Sequence, residues 1–135
     1  MNSDSASTQP PLFVYGTLRP GQRAFPRYAD AVLRTRPGIL ANAALYDAGR
    51  YPIAAPASDA AVRGEIVWLA TADYAAVLQD LDEYEGDEYA RVIRTVRSAA
   101  GKAIDCWVYL GDAAYAARYP RIPGDDWIRR NKEDA

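Results

Sequence analysis

Residues 12–22 read LFVYGTLRPGQ, a short apolar run that breaks into a turn containing two glycines and a proline. The run is rich in residues that favour strands, Phe13, Val14 and Tyr15. Pro11 precedes these residues and Gly16 follows them, and both residue types commonly bound strands. The pattern predicts a buried strand of about five residues that delivers a backbone loop to a site.

The turn after this strand has the composition of a ligand-binding loop. Gly16 lacks a Cβ, so the chain there can adopt dihedrals closed to other residues, and a ligand can approach the backbone closely. Successive amides such as those of Thr17 and Leu18 can point at an anionic group. An ordinary strand-to-loop turn explains the same residues, because glycine-rich turns are common. Local chemistry leaves both interpretations open.

Length and composition indicate one globular domain. The chain has 135 residues, half of them hydrophobic, which is enough to form a hydrophobic core without stabilisation by disulfides or a metal. The net charge is −2 and no long basic block occurs, so the electrostatic footprint of a nucleic-acid binder is missing. We therefore expect small-molecule or protein partners and no nucleic acid, and the sequence leaves the oligomeric state open.

The two ends of the chain differ in composition from the middle. Residues 1–10 have a polar composition of Ser, Thr and Pro, and residues 129–135 are charged, so we expect flexible tails around a domain at residues 11–128. The start lacks the basic and apolar regions of a secretory signal, and no apolar run approaches the roughly 20 residues of a membrane helix. We expect a cytoplasmic protein with no membrane partner.

Missing residue types restrict the chemistry. The chain has no His, which excludes Ser-His and Cys-His nucleophile pairs and imidazole metal sites. Its single cysteine, Cys106, alternates with Ile104, Val108 and Leu110, so we expect it on the buried face of a strand as an inert thiol. Any catalyst here relies on carboxylates, tyrosines, backbone amides or arginines.

Hydrophobic patterning predicts a compact mixed α and β domain in the order strand, strand, strand, helix, strand, strand. Before the helix we predict a helical turn at Phe25–Ala29, a strand at Gly38–Tyr46, a loop at Asp47–Pro56 that crosses the surface or lines a cleft, and a strand at Val62–Leu69. After the helix we predict two strands, Tyr89–Val96 and Ala103–Leu110. A turn at Gly101 joins the last two strands. Thr71 is the expected N-cap of the helix, with Asp73 in its first turn and Gly86 as its stop.

The helix pattern singles out one carboxylate. Its apolar face is spaced i, i+3, i+4 and i+7 and consists of Tyr74, Val77, Leu78 and Leu81. At about 100° per residue, Glu85 lies about 40° from Leu81, so its carboxylate continues the buried face if the helix persists. Glu83 lies about 200° from Glu85 and should face water. Asp82 is a candidate hydrogen-bonding partner at the helix end.

A carboxylate aimed at a core or cleft is desolvated, which raises its pKa toward neutrality. Glu85 is therefore a candidate general acid/base, the alternative being a solvated acidic helix end. Tyr89 and Tyr109 are weaker candidates. Tyr109 shares a strand face with Asp105 and Trp107, which suits a cleft wall, although both tyrosines are equally explained as half-buried rings whose hydroxyls bond to the backbone.

The chain resembles the γ-glutamylcyclotransferase-like family, in the shorter branch that includes γ-glutamylamine cyclotransferases and plant AIG2-like proteins. The resemblance rests first on VYGTLRPGQ near the start paired with LDEYEGDEYAR at Leu81–Arg91. Four further segments look like this family in the same order: YDAGRYP at Tyr46–Pro52, VRGEIVWL at Val62–Leu69, CWVYL at Cys106–Leu110 and IPGDDW at Ile122–Trp127.

The resemblance implies an α+β fold, a small mixed sheet curled into a barrel-like core with a few flanking helices. It implies an enzyme that releases 5-oxoproline and a free amine from a γ-glutamyl compound without metal or cofactor. A Glu matching Glu85 is the family's acid/base, and Tyr89 matches an active-site tyrosine. The loop that binds the glutamyl group matches Tyr15, Gly16, Thr17 and Leu18, and we add Tyr109 as a substrate-binding candidate.

The first loop departs from part of the family. Branches that act on glutathione or γ-glutamyl amino acids read YGSN in this loop, whereas this chain reads YGTL. That difference favours the γ-glutamylamine branch or a relative of undefined substrate. A binding or regulatory module that keeps the pocket without turnover, and a structural interaction domain, are the alternatives to an enzyme.

Overall fold

The structure of the protein, a computed structural model, describes residues 9–129. It contains five strands and two helices in chain order: β1 (Leu12–Val14), β2 (Val32–Asp47), β3 (Pro52–Leu69), α1 (Tyr74–Glu85), β4 (Ala90–Ser98), β5 (Ala103–Leu110) and α2 (Ala113–Ala116). Short 3₁₀ turns lie at Phe25–Arg27, Ala29–Ala31, Thr71–Asp73 and Gly86–Glu88. The predicted order of elements is confirmed.

The five strands form a closed barrel in the order β1, β3, β2, β4, β5. Neighbouring strands run antiparallel except where β1 meets β5, which it pairs in parallel at Leu12 and Trp107. This one parallel contact makes the sheet mixed and closes it, so no long strand edge is left open between β1 and β5. The predicted α+β barrel-like fold is confirmed.

The long hairpin of β2 and β3 overturns part of the sequence-based assignment. The prediction of a loop over Asp47–Pro56 is wrong, because β3 already begins at Pro52 and only residues 48–51 join the strands. Pro52 is tolerated as the first residue of a strand, and Pro56 pairs opposite Ala43 beside a bulge. β2 likewise begins at Val32 rather than Gly38, since pairing with the end of β3 overrides local propensity.

The barrel has an apolar interior and a second apolar layer beneath α1. The interior includes Phe13, Ile66, Val96 and Cys106, all essentially inaccessible to solvent. Leu81 of α1 packs on the outer layer, which includes Leu12, Val14, Val67 and Tyr109. Because β1 alternates between the two layers, it is buried on both faces, and the burial predicted for Cys106 is confirmed.

The ends of α1 are partly as predicted. The helix ends at Gly86, whose φ of 72° is left-handed and suits glycine. Its start lies two residues later than predicted, because Thr71–Asp73 form a 3₁₀ turn and the N-cap position falls on Asp73. Neither Thr71 nor Asp73 makes a side-chain capping bond, so the N-cap prediction for Thr71 is wrong.

The predicted tails fall mostly outside the described residues, namely at 1–8 and 130–135. At the inner edge of the first tail, the carbonyl of Pro10 accepts a hydrogen bond of 2.7 Å from the Tyr74 hydroxyl. Over residues 9–129, we find no helix with the length and apolar character needed to cross a membrane.

Candidate active site

The structure brings all seven predicted site residues to one cleft. They come from the segment that follows β1, the end of α1, the segment before β4 and the outer face of β5: Tyr15, Gly16, Thr17, Leu18, Glu85, Tyr89 and Tyr109. The remaining lining residues are Phe13, Val14, Tyr51 and Pro52. The cleft therefore joins segments that are far apart in the sequence.

The loop after β1 presents unused backbone donors. The carbonyl of Thr17 accepts a hydrogen bond from the Ala24 amide at 3.0 Å, and the carbonyl of Leu18 accepts one from the Tyr28 hydroxyl at 2.7 Å. Within residues 9–129, the N–H groups of Thr17 and Leu18 donate no hydrogen bond. Because buried backbone donors are normally paired, these two amides are suited to an anionic ligand group.

Gly16 is required here by a close approach of the chain rather than by unusual dihedrals. Its φ is not among the positive values in the chain, which differs from the conformational role predicted for it. A Cβ at this position would lie 2.5 Å from Cγ of Pro52, well inside contact distance. The loop after β1 therefore packs directly on the first residue of β3, where the two segments form one wall of the cleft.

Arg19 fixes the position of the loop after β1 through ion pairs. Its guanidinium donates to both carboxylate oxygens of Glu65, at 2.6 and 3.1 Å, and to Oδ1 of Asp126 at 2.8 Å. Arg19 is only 7% exposed, so the ion pairs are poorly screened by water. The pairs tie the loop to β3 and to the segment after α2.

In the part of the chain that the structure describes, Glu85 is the one carboxylate that lines the cleft. It is partly buried, and its oxygens accept no hydrogen bond from any residue in the described range. Burial, followed by the negative charge of Glu88, raises its pKa from the ordinary 4.5 to about 7. Glu83 is exposed, as predicted, so the helix geometry separated the two acids correctly.

The tyrosine rings form walls of the cleft, and their hydroxyl groups already donate hydrogen bonds to other groups of the protein. Tyr15 donates to the carbonyl of Tyr109 at 2.5 Å, and Tyr89 donates to the carbonyl of Pro52 at 2.7 Å. Tyr109 donates to Oδ1 of Asp82 at 2.7 Å, which places Asp82 behind the cleft beside Arg91. Burial raises the pKa of all three tyrosines far above the ordinary value, so these rings shape the cleft in their neutral form.

Four residues that line the cleft are not among the predicted site residues: Phe13 and Val14 of β1, and Tyr51 and Pro52. Tyr51 and Pro52 line it from the β2–β3 connection, and Tyr51 also donates to both oxygens of Glu88, at 2.9 and 3.1 Å. For Tyr51 and Pro52, the signal that could have found them is the YDAGRYP segment, which carries part of the family resemblance and overlaps the loop predicted either to cross the surface or to line a cleft. Within residues 9–129, no group of three or more His, Cys, Asp or Glu side chains could hold a metal ion.

Sequence comparison agrees with this geometry. A family model described as gamma-glutamyl cyclotransferase, AIG2-like, matches residues 12–129. The chain belongs to this family. The resemblance seen in its motifs is thereby confirmed, and every residue that lines the cleft falls within the matched range of the AIG2-like γ-glutamyl cyclotransferase model.

Solved structures share the fold of this AIG2-like family member. An AIG2-like protein from Mus musculus is 24% identical over 87% of this chain and 88% of its own, with a TM-score of 0.67. YkqA from Bacillus subtilis is 19% identical over 93% of this chain but only 43% of its own, with a TM-score of 0.70. PH0828 from Pyrococcus horikoshii is 19% identical over 92% and 94%, with a TM-score of 0.67. None of the curated proteins compared with the chain matches it.

Proposed function

We propose that this protein is a γ-glutamyl cyclotransferase that releases 5-oxoproline and a free amine from a γ-glutamyl amine or γ-glutamyl amino acid. The observation that carries the proposal is Glu85, a carboxylate without a hydrogen-bond partner in the described range that faces a cleft with unused amides. Its raised pKa, about 7, lets it exchange protons near neutrality. Family membership supports the reaction class.

The reaction begins with proton transfer from the substrate's α-ammonium group to ionised Glu85. The freed amine nitrogen attacks the γ-carbonyl carbon, which forms the ring C–N bond and places negative charge on the carbonyl oxygen. The C–N bond to the departing amine then breaks, and Glu85 returns its proton to that nitrogen. The ring nitrogen carries two protons after the attack, and it loses the second one through Glu85 to the departing amine, which leaves as an ammonium ion beside the neutral lactam. One carboxylate thus serves as base and then as acid, and every proton is accounted for.

In this mechanism the cleft positions the substrate and stabilises its negative charge, and no protein group forms a covalent bond with the substrate. Ring closure is intramolecular, and holding the substrate folded can provide effective molarities on the order of 10⁵ M or more. The Thr17 and Leu18 amides are suited to the substrate's α-carboxylate or to the developing oxyanion, because both are anionic. The walls formed by Tyr15, Tyr89 and Tyr109 would hold the carbon chain of the glutamyl group.

A substrate panel tests the proposal directly. We expect purified protein to release 5-oxoproline from at least one member of a set comprising γ-glutamyl-ε-lysine, γ-glutamyl dipeptides and glutathione, as detected by chromatography. Because the loop reads YGTL, we expect the γ-glutamyl amine to be the better substrate. Heat-denatured protein is the control for spontaneous cyclisation. Thermal stabilisation by 5-oxoproline without any product across the panel would indicate a binding module instead.

The pH profile of the reaction provides an independent test. Glu85 must be ionised to accept the α-ammonium proton, so we expect kcat/KM to rise with pH through about 7, the pKa of this carboxylate. The rate should flatten above that value until the amine or another group titrates. An acidic limb near pH 4.5, where an unperturbed Glu titrates, would argue against Glu85 as the base.

A further inference from the structure

A second carboxylate is fixed beside the cleft, three residues after Glu85. Gly86, with its left-handed φ of 72°, ends α1, and the 3₁₀ turn Gly86–Glu88 follows at once. Glu88 then accepts hydrogen bonds from Tyr51, one of the residues that line the cleft. The chain reversal thus holds two acids in the same region.

Glu88 is anchored from two separate segments. Tyr51, in the β2–β3 connection, donates to both carboxylate oxygens, and Tyr115, in α2, donates to Oε2 at 2.7 Å. The Tyr119 hydroxyl lies 3.3 Å from that of Tyr115 and extends the cluster. No Lys or Arg within residues 9–129 forms an ion pair with Glu88, so the groups that hold its carboxylate are uncharged hydroxyls. The negative charge is therefore fixed and uncompensated.

Given the proposed function, on which this inference rests, we propose that Glu88 is a positioning residue that acts through Glu85. Anchored by Tyr51 and Tyr115, it supplies a fixed negative charge that disfavours a second negative charge on Glu85. Glu85 thereby holds the proton taken from the substrate long enough to return it to the departing amine. Without this charge, Glu85 would be a weaker base for the α-ammonium group.

Among residues 9–129, Glu85 is the one side chain lining the cleft that carries a charge, since neither Lys nor Arg lines it. The other ionisable groups that face the cleft are neutral tyrosines from the loop after β1, the β2–β3 connection, the segment before β4, and β5: Tyr15, Tyr51, Tyr89 and Tyr109. On α1 itself, Asp82 is paired with Arg91 at 2.7 Å. Burial and the Glu88 charge both favour the protonated form of Glu85 and raise its pKa.

The test compares Glu88→Gln with a matched control, Asp87→Asn. Both changes remove one negative charge from the same turn, but Asp87 is exposed. Protein labelled with ¹³C at glutamate carboxyl carbons is titrated by NMR without substrate, with Glu85→Gln used to assign the Glu85 signal. We expect the Glu85 midpoint to fall by about 1 pH unit in Glu88→Gln and to stay unchanged in Asp87→Asn. The acidic limb of kcat/KM should fall by the same amount.

An unchanged midpoint in Glu88→Gln, or an equal fall in Asp87→Asn, would overturn the inference. If Glu88→Gln does not fold, Tyr115→Phe is titrated instead, since it removes one anchor; a lower Glu85 midpoint supports the inference and an unchanged one overturns it. The titration needs no turnover. A shifted midpoint in a protein that releases no 5-oxoproline from any substrate would therefore count against the proposed function while leaving the coupling between the two carboxylates established.

Discussion

Glu85→Gln is expected to lower kcat/KM for 5-oxoproline release by roughly 10²- to 10⁴-fold, the usual contribution of a general acid/base. The amide keeps the size of the side chain but can neither accept the α-ammonium proton nor return one to the departing amine. The measurement is product formation under kcat/KM conditions at pH 8, where the carboxylate of the parent protein is ionised. Activity within a few-fold of the parent would contradict the proposed mechanism.

Glu85→Gln should also be more stable than the parent protein, so its loss of activity could not be attributed to unfolding. The pKa of Glu85 is about 7 in the folded protein and near its ordinary 4.5 in the unfolded chain, so the folded state binds the extra proton between these values. Stability conferred by this group is fully present below about pH 4.5 and is lost as pH rises toward 7.

Gln carries no charge, so Glu85→Gln should be more stable than the parent at pH 8 by about 1–3 kcal/mol, with no difference at pH 4. Urea unfolding at the two pH values measures this. Glu83→Gln, at an exposed position two residues away, should change neither activity nor the pH dependence of stability. A destabilised Glu85→Gln at pH 8 would mean that the carboxylate makes a favourable contact in the fold.

Arg19→Met is expected to lower the free energy of unfolding by about 3 kcal/mol and to impair the cleft. The substitution removes a guanidinium that is only 7% exposed and leaves Glu65 and Asp126 without their partner. Removing one member of a buried ion pair costs about 3–5 kcal/mol, and the lower end applies because the Glu65 side chain is 23% exposed. Urea unfolding at pH 7 gives the stability.

The matched control is Arg63→Met, which breaks a single ion pair with Asp125 on the same barrel. Those side chains are 51% and 43% exposed, so this change should cost less than about 1 kcal/mol. Arg19→Met should also raise KM for the γ-glutamyl substrate, because Arg19 follows directly on the amides of Thr17 and Leu18. Equal stability losses in the two variants would show that burial does not decide the strength of these pairs.

Local patterns predicted the parts of the site that depend on one element. The 3.6-residue period of α1 distinguished Glu85 from Glu83, because both lie on the same helix and their directions follow from its geometry. The alternation along β5 likewise placed Cys106 inside and Tyr109 on the other face. The order of strands and the family motifs then indicated the barrel, which the structure confirms.

Features that depend on contacts between distant segments were not predictable in this way. Gly and Pro in residues 47–56 indicate a loop locally, yet pairing with β2 makes Pro52 the start of a strand. The bond between Glu88 and Tyr115 joins residues 27 positions apart, and Arg19 meets Asp126 across 107 positions. These contacts depend on how the whole barrel closes, so no short stretch of the sequence predicts them.

The parallel contact between β1 and β5 also sets when the cleft can form during synthesis. β1 is made first, but Leu12 pairs with Trp107, and the loop that follows β1 is tied through Arg19 to Asp126. During synthesis β1 can pair with β3 once residue 69 has been made, but its second neighbour, β5, exists only after most of the domain, and contacts of such long sequence separation slow folding. A nascent chain that stops before β5 would have Glu85 and the loop but would lack the Tyr109 wall and the contact that closes the barrel, so the cleft is complete only once β5 has been made.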